Sequence, residues 1–339
     1  MPPLSTRPTI AVISLLTGGM LAVLTPLATP PAAADQGDGP HGEAFQHDRK
    51  AGVKLTNSQI TLSGSGIGGN GNGYQMPSPC WYEPNMTADQ ARDLKAREKK
   101  ESVETGGDYR PDLDKFSSKL DEKGQWWGIA YNAGDPKGEA CAAGRDPLVW
   151  VPEGGTPPGG ITFEQLRELA RAALTVPEPT IKLSPDAKSY VNLGTWVWLA
   201  GADQAPRSVT ATLPGVMSAT VTATPAENSM HIEAGTDDKR ATVYEKGCGE
   251  TGEPYVKGSA KGSDEDPPCG VRYLRSSIDQ PNKVYTLTVT TTWDVVGNGQ
   301  NLGGGAVDPF IYAPLAYAPI QVNAQRDVPV GEVQSVVQN

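Results

Sequence analysis

The chain has 339 residues, with 29 lysines and arginines against 39 aspartates and glutamates, so its formal net charge is -10. An acidic surface repels a phosphate backbone, and no stripe of basic residues offsets that repulsion, so we expect no nucleic-acid partner. The 39 glycines and 30 prolines are typical of short strands joined by many turns. The composition therefore predicts a mostly β fold.

The first 34 residues have the three parts of an export signal. Arg7 provides a basic start, residues 10–24 are apolar apart from small and hydroxyl side chains, and small residues precede Asp35. Signal peptidase recognises this order. The sequence thus predicts a signal peptide over residues 1–34, cleavage after Ala34, and a secreted, extracellular product that could associate with the cell wall.

A membrane anchor over residues 9–28 is the alternative interpretation, because that length could span a bilayer. Gly18, Gly19 and Pro26 interrupt the run, and a cleavage site follows it. We therefore expect no transmembrane segment in the mature chain.

Residues 35–57 are polar and poor in apolar side chains, which predicts a disordered N-terminal segment. A glycine-rich stretch follows, in which Gly64, Gly66 and Gly69 match the dinucleotide fingerprint G-x-G-x-x-G. That fingerprint requires a helix directly afterwards, and here further glycines and two prolines follow. We interpret the stretch as a flexible linker or a glycine turn, and expect no cofactor.

The four cysteines indicate a disulfide framework, because an even number in an exported chain is read first as paired. Four cysteines allow three pairings. We favour Cys80 with Cys141 and Cys248 with Cys269, because each bridge then lies within one predicted domain. No C-x-x-C pair is present, and we expect no metal site.

Residues 58–176 are predicted to form an irregular α+β region. Thr87 with Gln90, and Thr162 with Gln165, have the spacing of capping boxes and predict two helix starts. The first helix has few apolar positions and belongs on a surface. The second helix has an apolar stripe at helical spacing. Its members are Phe163, Leu166, Leu169, Ala170, Ala173 and Leu174.

Residues 177–339 change to a period of two, typical of strands with one buried and one wet face. Apolar residues alternate with polar, mostly threonine, residues in 209–213, 218–224 and 285–293, and residues 328–337 supply a closing strand. This pattern predicts an antiparallel sandwich of the immunoglobulin type.

The segments CGVRYLRSS at 269–277 and VYTLTVTTTW at 284–293 resemble PKD-like domains. That resemblance implies an immunoglobulin-like sandwich used in exported proteins as a spacer or binding module. The chain departs from the family at a second hallmark, an acidic-glycine turn, where it has only MHIEAG at 230–235. The helix from Thr162 and the aromatic strand at 191–199 also resemble a group of uncharacterised secreted actinomycete proteins, which implies no activity.

Catalytic residues are not expected. His231 is the only histidine beyond the disordered segment, and no G-x-S-x-G elbow accompanies it. Paired carboxylates remain an alternative, with Asp112 and Asp114, or Glu122, as candidates. They would make the protein an extracytoplasmic hydrolase acting on carbohydrate or peptidoglycan.

Tryptophans supply the candidate binding residues. Trp196 and Trp198 project from one face of a strand, as core residues or, less favoured, as a stacking platform. Trp126 and Trp127 point oppositely in an extended chain, so we expect at least one to be partly exposed and take this pair as the contact surface. The sequence predicts a secreted, non-enzymatic binding or structural protein, with cell-wall polysaccharide or another envelope protein as its partner.

Overall fold

The structure, a computed structural model, describes residues 53–68, 74–201, 203–257, 266–303 and 309–333. The predicted signal peptide lies outside these ranges. The strands are β1 (Leu55–Thr56), β2 (Thr61–Ser63), β3 (Cys80–Met86), β4 (Gly124–Asn132), β5 (Leu148–Pro152), β6 (Thr180–Ser184), β7 (Ser189–Tyr190), β8 (Gly194–Ala200), β9 (Arg207–Leu213), β10 (Met217–Glu233), β11 (Ala241–Tyr244), β12 (Gly270–Tyr273), β13 (Tyr285–Asn301), β14 (Leu315–Val328) and β15 (Val330–Gly331). The helices are α1 (Ala88–Glu104), α2 (Leu113–Ser117), α3 (Gly138–Ala143) and α4 (Phe163–Ala173). The predicted mostly β fold is confirmed.

A four-stranded antiparallel sheet forms the first part of the chain. It has the order β1-β4-β3, and β5 also pairs with β4. Val53 and Leu55 are both 1% exposed, and Leu55 pairs with Asn132. The expected disordered segment 35–57 is therefore wrong at its C-terminal end, because these apolar side chains join the core; residues 35–52 lie outside the described ranges.

The two predicted capping boxes are confirmed, at the N-termini of α1 and α4. The Thr87 hydroxyl accepts from the Gln90 N–H while the Gln90 side chain accepts from the Thr87 N–H, and Thr162 and Gln165 repeat the arrangement. In α1 the buried side chains are Ala88 and Ala91 alone, so the helix lies on the surface. Helix α4 buries its apolar stripe. No helix in the described ranges is both long and apolar enough to span a membrane.

A five-stranded antiparallel sheet of order β14-β13-β10-β9-β2 contains the three longest strands. Its register shifts between Pro225 and Met230 on β10, and between Trp293 and Val295 along the β13–β14 pair. Both irregularities lie beside Trp293, which pairs with Pro225 on one side. On β10 the buried apolar residues have odd numbers before the shift, from Met217 to Ala223, and even numbers after it, at Met230 and Ile232. The irregularity therefore keeps the apolar side chains on one face of the sheet.

The sequence pattern did not predict β14. Pro314 directly precedes it and Pro319 interrupts its pattern. Pro319 lies at the register shift of an edge strand, where a missing N–H is tolerated. The closing strand was instead predicted at 328–337. In the described part of that segment, only Val330–Gly331 form a strand beyond β14, and they pair in parallel with β7.

A second antiparallel sheet, β11-β12-β8-β6, faces the other end of the long strands. The core between them includes Val197 and Leu199 from β8 and Tyr285, Leu287 and Val289 from β13. The predicted antiparallel sheets of the C-terminal region are thus present.

The larger core takes residues from both sides of residue 176, where the domain boundary is predicted. Leu166 and Leu169 of α4 pack with Val209, Val221 and Trp293 of the five-stranded sheet. The two predicted disulfides are confirmed. They join Cys80 with Cys141 and Cys248 with Cys269, and none of the described cysteines is free.

Candidate functional site

The expected partial exposure of Trp126 or Trp127 is wrong, because these residues are 1% and 7% exposed. Strand β4 is covered on both faces. Trp126 packs against Phe116 and Trp150, with ring centroids 4.8 and 5.5 Å apart, while Trp127 belongs to the larger core. The alternation of β4 correctly separates the two rings, but it does not reveal that α1 and α2 cover the second face.

Trp127 borders a groove of about 420 Å³ that lies where β4 begins and β5 ends. Glu122 and Glu153 also line it. The Glu122 carboxylate lies 2.8 Å from Lys119 Nζ, and that of Glu153 lies 4.0 Å from Lys123 Nζ. These carboxylates are exposed partners of surface lysines.

The other candidate acids, Asp112 and Asp114, lie at the start of α2 and do not line this groove. Asp112 is the N-cap, and its carboxylate accepts from the Lys115 N–H at 3.2 Å. Asp114 lies in the first turn of the helix. A capping carboxylate stabilises the helix start, which explains Asp112 without a catalytic role.

Trp196 is 4% exposed and Trp198 is half-buried. They do not lie in the core between the two sheets, since Val197 and Leu199 occupy that face of β8. A loop instead covers them from outside: the Tyr255 ring lies 5.6 Å from that of Trp196, and Thr251 O accepts from the Leu199 N–H at 2.7 Å. The sequence could not show this cover, because the loop follows more than 40 residues later.

The described glycines of the G-x-G-x-x-G match pack tightly against other elements. A Cβ atom on Gly64 would stand 2.1 Å from Ser208 O, and one on Gly66 would stand 2.5 Å from Leu174 Cδ1. Gly69 lies outside the described residues. These glycines permit close packing of the chain against β9 and the end of α4, which accounts for them structurally.

His231 lies on the outward face of β10, where its side chain is 63% exposed. Its Nδ1 atom lies 3.8 Å from Glu245 Oε2, and in the strand register it stands opposite Thr290. The neighbourhood is that of a surface histidine.

Glu83 is a buried carboxylate that sequence reasoning missed. It is 0% exposed, and its oxygens accept from the Ser58 hydroxyl and from Trp81 Nε1–H, each at 3.0 Å, and from the Gln59 N–H. Burial raises the pKa of Glu83, although the three donors oppose that rise. The sequence of β3 did not indicate that Glu83 is buried, because it is simply one polar residue after Cys80, Trp81 and Tyr82. With no solvent access, it ties residues 58–59 to β3.

A second polar cluster, which we call the α4 cluster, comprises Arg167, Glu168 and Arg171 of α4 with Tyr74 and Tyr317. The Tyr317 hydroxyl donates to Glu168 Oε1 at 3.1 Å, and the Arg171 guanidinium lies 4.7 Å from the Tyr74 ring centre. Burial raises the pKa of Glu168 and raises that of Tyr317 to about 12, and it lowers the pKa of Arg171. The only sequence signal was a pair of arginines four residues apart beside an apolar stripe.

A regular array of mostly polar side chains lies on the outward face of β2, β9, the part of β10 before Pro225 and the part of β13 after Trp293. We call it the hydroxyl face. Its members are Thr61, Ser63, Ser208, Thr210, Thr212, Ser218, Thr220, Thr222, Thr224, Asp294, Val296, Asn298 and Gln300. Ser218 is only 7% exposed, and the members on β9 are half-buried, as are Thr220 and Thr222 on β10. Of these thirteen side chains, Asp294 alone is charged, and Val296 is the one apolar member. The sequence predicts the alternation in each strand, but not that distant strands are neighbours.

Among the described residues, no group of three or more histidine, cysteine or acidic side chains is arranged to hold a metal ion. Comparisons with family models, curated proteins and solved structures give no match. The functional interpretation therefore depends on the chain's own surfaces.

Proposed function

We propose that the protein is an exported, non-enzymatic binding or structural component of the cell envelope or extracellular space. The observation that carries this proposal is the hydroxyl face, a broad outward surface of hydroxyl and amide side chains on a rigid sheet. The predicted tryptophan surface is buried and so does not compete with it.

Export is supported by two features. The leader over residues 1–34 has the order of a signal peptide. The two disulfides fit an oxidising compartment, where such bonds persist. N-terminal sequencing of secreted material should begin at Asp35; a mature chain that retains Met1 would contradict export by cleavage.

We also propose that the C-terminal sandwich is PKD-like. The two segments that carry the resemblance form β12 and β13. These strands lie in the two sheets that enclose the core containing Val197, Leu199 and Leu287. Tyr273 and Tyr285 stack across that core with ring centres 4.9 Å apart. An experimental structure of the full mature chain would test the assignment through the strand order of residues 177–339.

An extracytoplasmic hydrolase acting on carbohydrate or peptidoglycan is the second candidate. The groove bordered by Trp127, with Glu122 and Glu153 on its walls, favours it. Glycosidases work with two carboxylates that flank the scissile bond.

Incubation of the mature protein with isolated cell wall and with purified polysaccharides distinguishes the two functions. The binding proposal predicts protein retained on the solid and no soluble sugar or peptide released. Release that is lost in Glu122→Gln and Glu153→Gln variants would support the hydrolase and overturn the proposal. Absence of retention on every solid would contradict a binding function.

A further inference from the structure

We infer that the hydroxyl face is the binding surface and that its ligand is a neutral polysaccharide lying across β2, β9, β10 and β13. This inference rests on the proposed binding function. It adds the surface, the residues and the chemical class of the partner.

The strand registers align the hydroxyl face into continuous rows. One row crosses four strands as Ser63, Thr210, Thr220 and Asn298. The next crosses them as Thr61, Thr212, Ser218 and Gln300. Neighbouring strands lie about 4.8 Å apart and successive outward residues about 6.8 Å apart, so the rows form a regular grid.

The grid is rigid before any ligand arrives. The inward residues beneath it, Val209, Ala211, Ala219 and Val221, are all 0% exposed and hold β9 and β10 against α4. Threonine side chains are stiff at χ1 because they branch at Cβ. The Thr210 and Thr220 hydroxyl oxygens already lie 2.8 Å apart across the strands. A pre-organised surface loses little conformational entropy on binding.

The chemistry of the grid matches a polyhydroxylated chain. Each serine or threonine hydroxyl can donate one hydrogen bond and accept others, and each asparagine or glutamine amide can do both. A polysaccharide presents the same mixture of donors and acceptors along its length. Because one such bond gives little net free energy in water, a repeating ligand that engages several rows at once is favoured.

The charges of the hydroxyl face and of the whole chain favour a neutral polymer as the ligand. Neither row contains a lysine or arginine, and the whole chain has a net charge of -10, so polyanions such as nucleic acids or uronic-acid polymers are repelled. A polycation would require carboxylates, and the face has only Asp294. A lipid surface would require a larger exposed apolar patch, whereas Val296 is 41% exposed and its β14 neighbour in the register is the small side chain of Ala316.

The test compares retention of the full mature chain on insoluble cellulose and chitin, with polygalacturonate as the anionic polymer. The double variant Thr210→Val with Thr220→Val removes two hydroxyls from one row and keeps shape and strand propensity. Its control is Thr288→Val with Thr290→Val. These two residues lie on β13 before Trp293, outside the hydroxyl face, and stand opposite Glu233 and His231. We expect the first variant to bind at least tenfold more weakly, the control to bind as wild type, and 0.5 M salt to leave binding unchanged.

Three other results would contradict either this inference or the proposed function. If wild type binds a neutral polymer and the Thr210/Thr220 variant binds equally well, this inference is wrong while the proposed function stands. Salt-sensitive retention on polygalacturonate alone would also overturn it. If wild type is retained on neither cell wall nor any polymer, the proposed function fails first. Should the valine variant melt early, Asn298→Ala with Gln300→Ala tests the same rows from exposed positions.

Discussion

The ring of Phe163 lies directly on the backbone of Gly299, at the end of β13. A Cβ atom built on Gly299 would stand 2.2 Å from Phe163 Cε2 and 2.4 Å from Ser218 O. Helix α4 can approach the sheet this closely only because position 299 has no side chain. Gly299→Ala should therefore lower the free energy of unfolding by about 1 to 3 kcal/mol, as overpacking does.

Urea denaturation measures that loss. Gly144→Ala is the matched control, because a Cβ atom there would meet nothing closer than 3.7 Å. An equal effect of both substitutions would show that the Phe163 contact is not the cause.

The two disulfides should stabilise the fold unequally. Cys80–Cys141 closes a separation of 61 residues and Cys248–Cys269 one of 21. On loop-closure entropy, Cys80→Ser with Cys141→Ser should cost about 4 kcal/mol, and the corresponding serine pair at 248 and 269 about 3 kcal/mol. Denaturation of both variants under one set of conditions checks the order. A larger loss for the shorter loop would contradict the entropic argument.

Glu83 should make stability depend on pH. Its pKa is raised by burial above the ordinary value of 4.5, so its contribution is fully present below that pH and is lost as pH rises through the folded-state pKa. Glu83→Gln cannot ionise. The difference in unfolding free energy between wild type and the variant should therefore shift in favour of the variant from pH 4 to pH 8. Parallel curves over that range would show that the buried carboxylate does not titrate there.

Tyr317 should stabilise the α4 cluster through its hydroxyl. Tyr317→Phe removes the donor that lies 3.1 Å from Glu168 Oε1 and leaves a partly buried carboxylate with one partner fewer. We expect a loss of about 1 to 3 kcal/mol. A double-mutant cycle with Glu168→Gln isolates the pair, and additive losses would mean that the two side chains are not coupled.

Local signals predicted much of this fold. The capping boxes at Thr87 and Thr162 and the alternation in β13 depend on neighbours within a few residues, and all three are confirmed. The hydroxyl face depends on β2 pairing with β9, roughly 150 residues later, through Leu62 opposite Ala211. Such a pairing leaves no trace in either strand's own pattern. The same limit applies to Glu83, whose donor at Ser58 comes from a separate segment.

The tryptophan pair supplies the sharpest contrast with the hydroxyl face. Trp126 is 1% exposed and packed between Phe116 and Trp150, so Trp126→Ala should cost about 3 to 5 kcal/mol. Below the temperature at which the variant unfolds, its retention on polysaccharide should match that of wild type. Thr210→Val with Thr220→Val should do the reverse, since it leaves the melting temperature nearly unchanged and weakens retention. If Trp126→Ala instead abolished retention at unchanged stability, the contact surface would lie on β4, because a buried structural ring cannot produce that result.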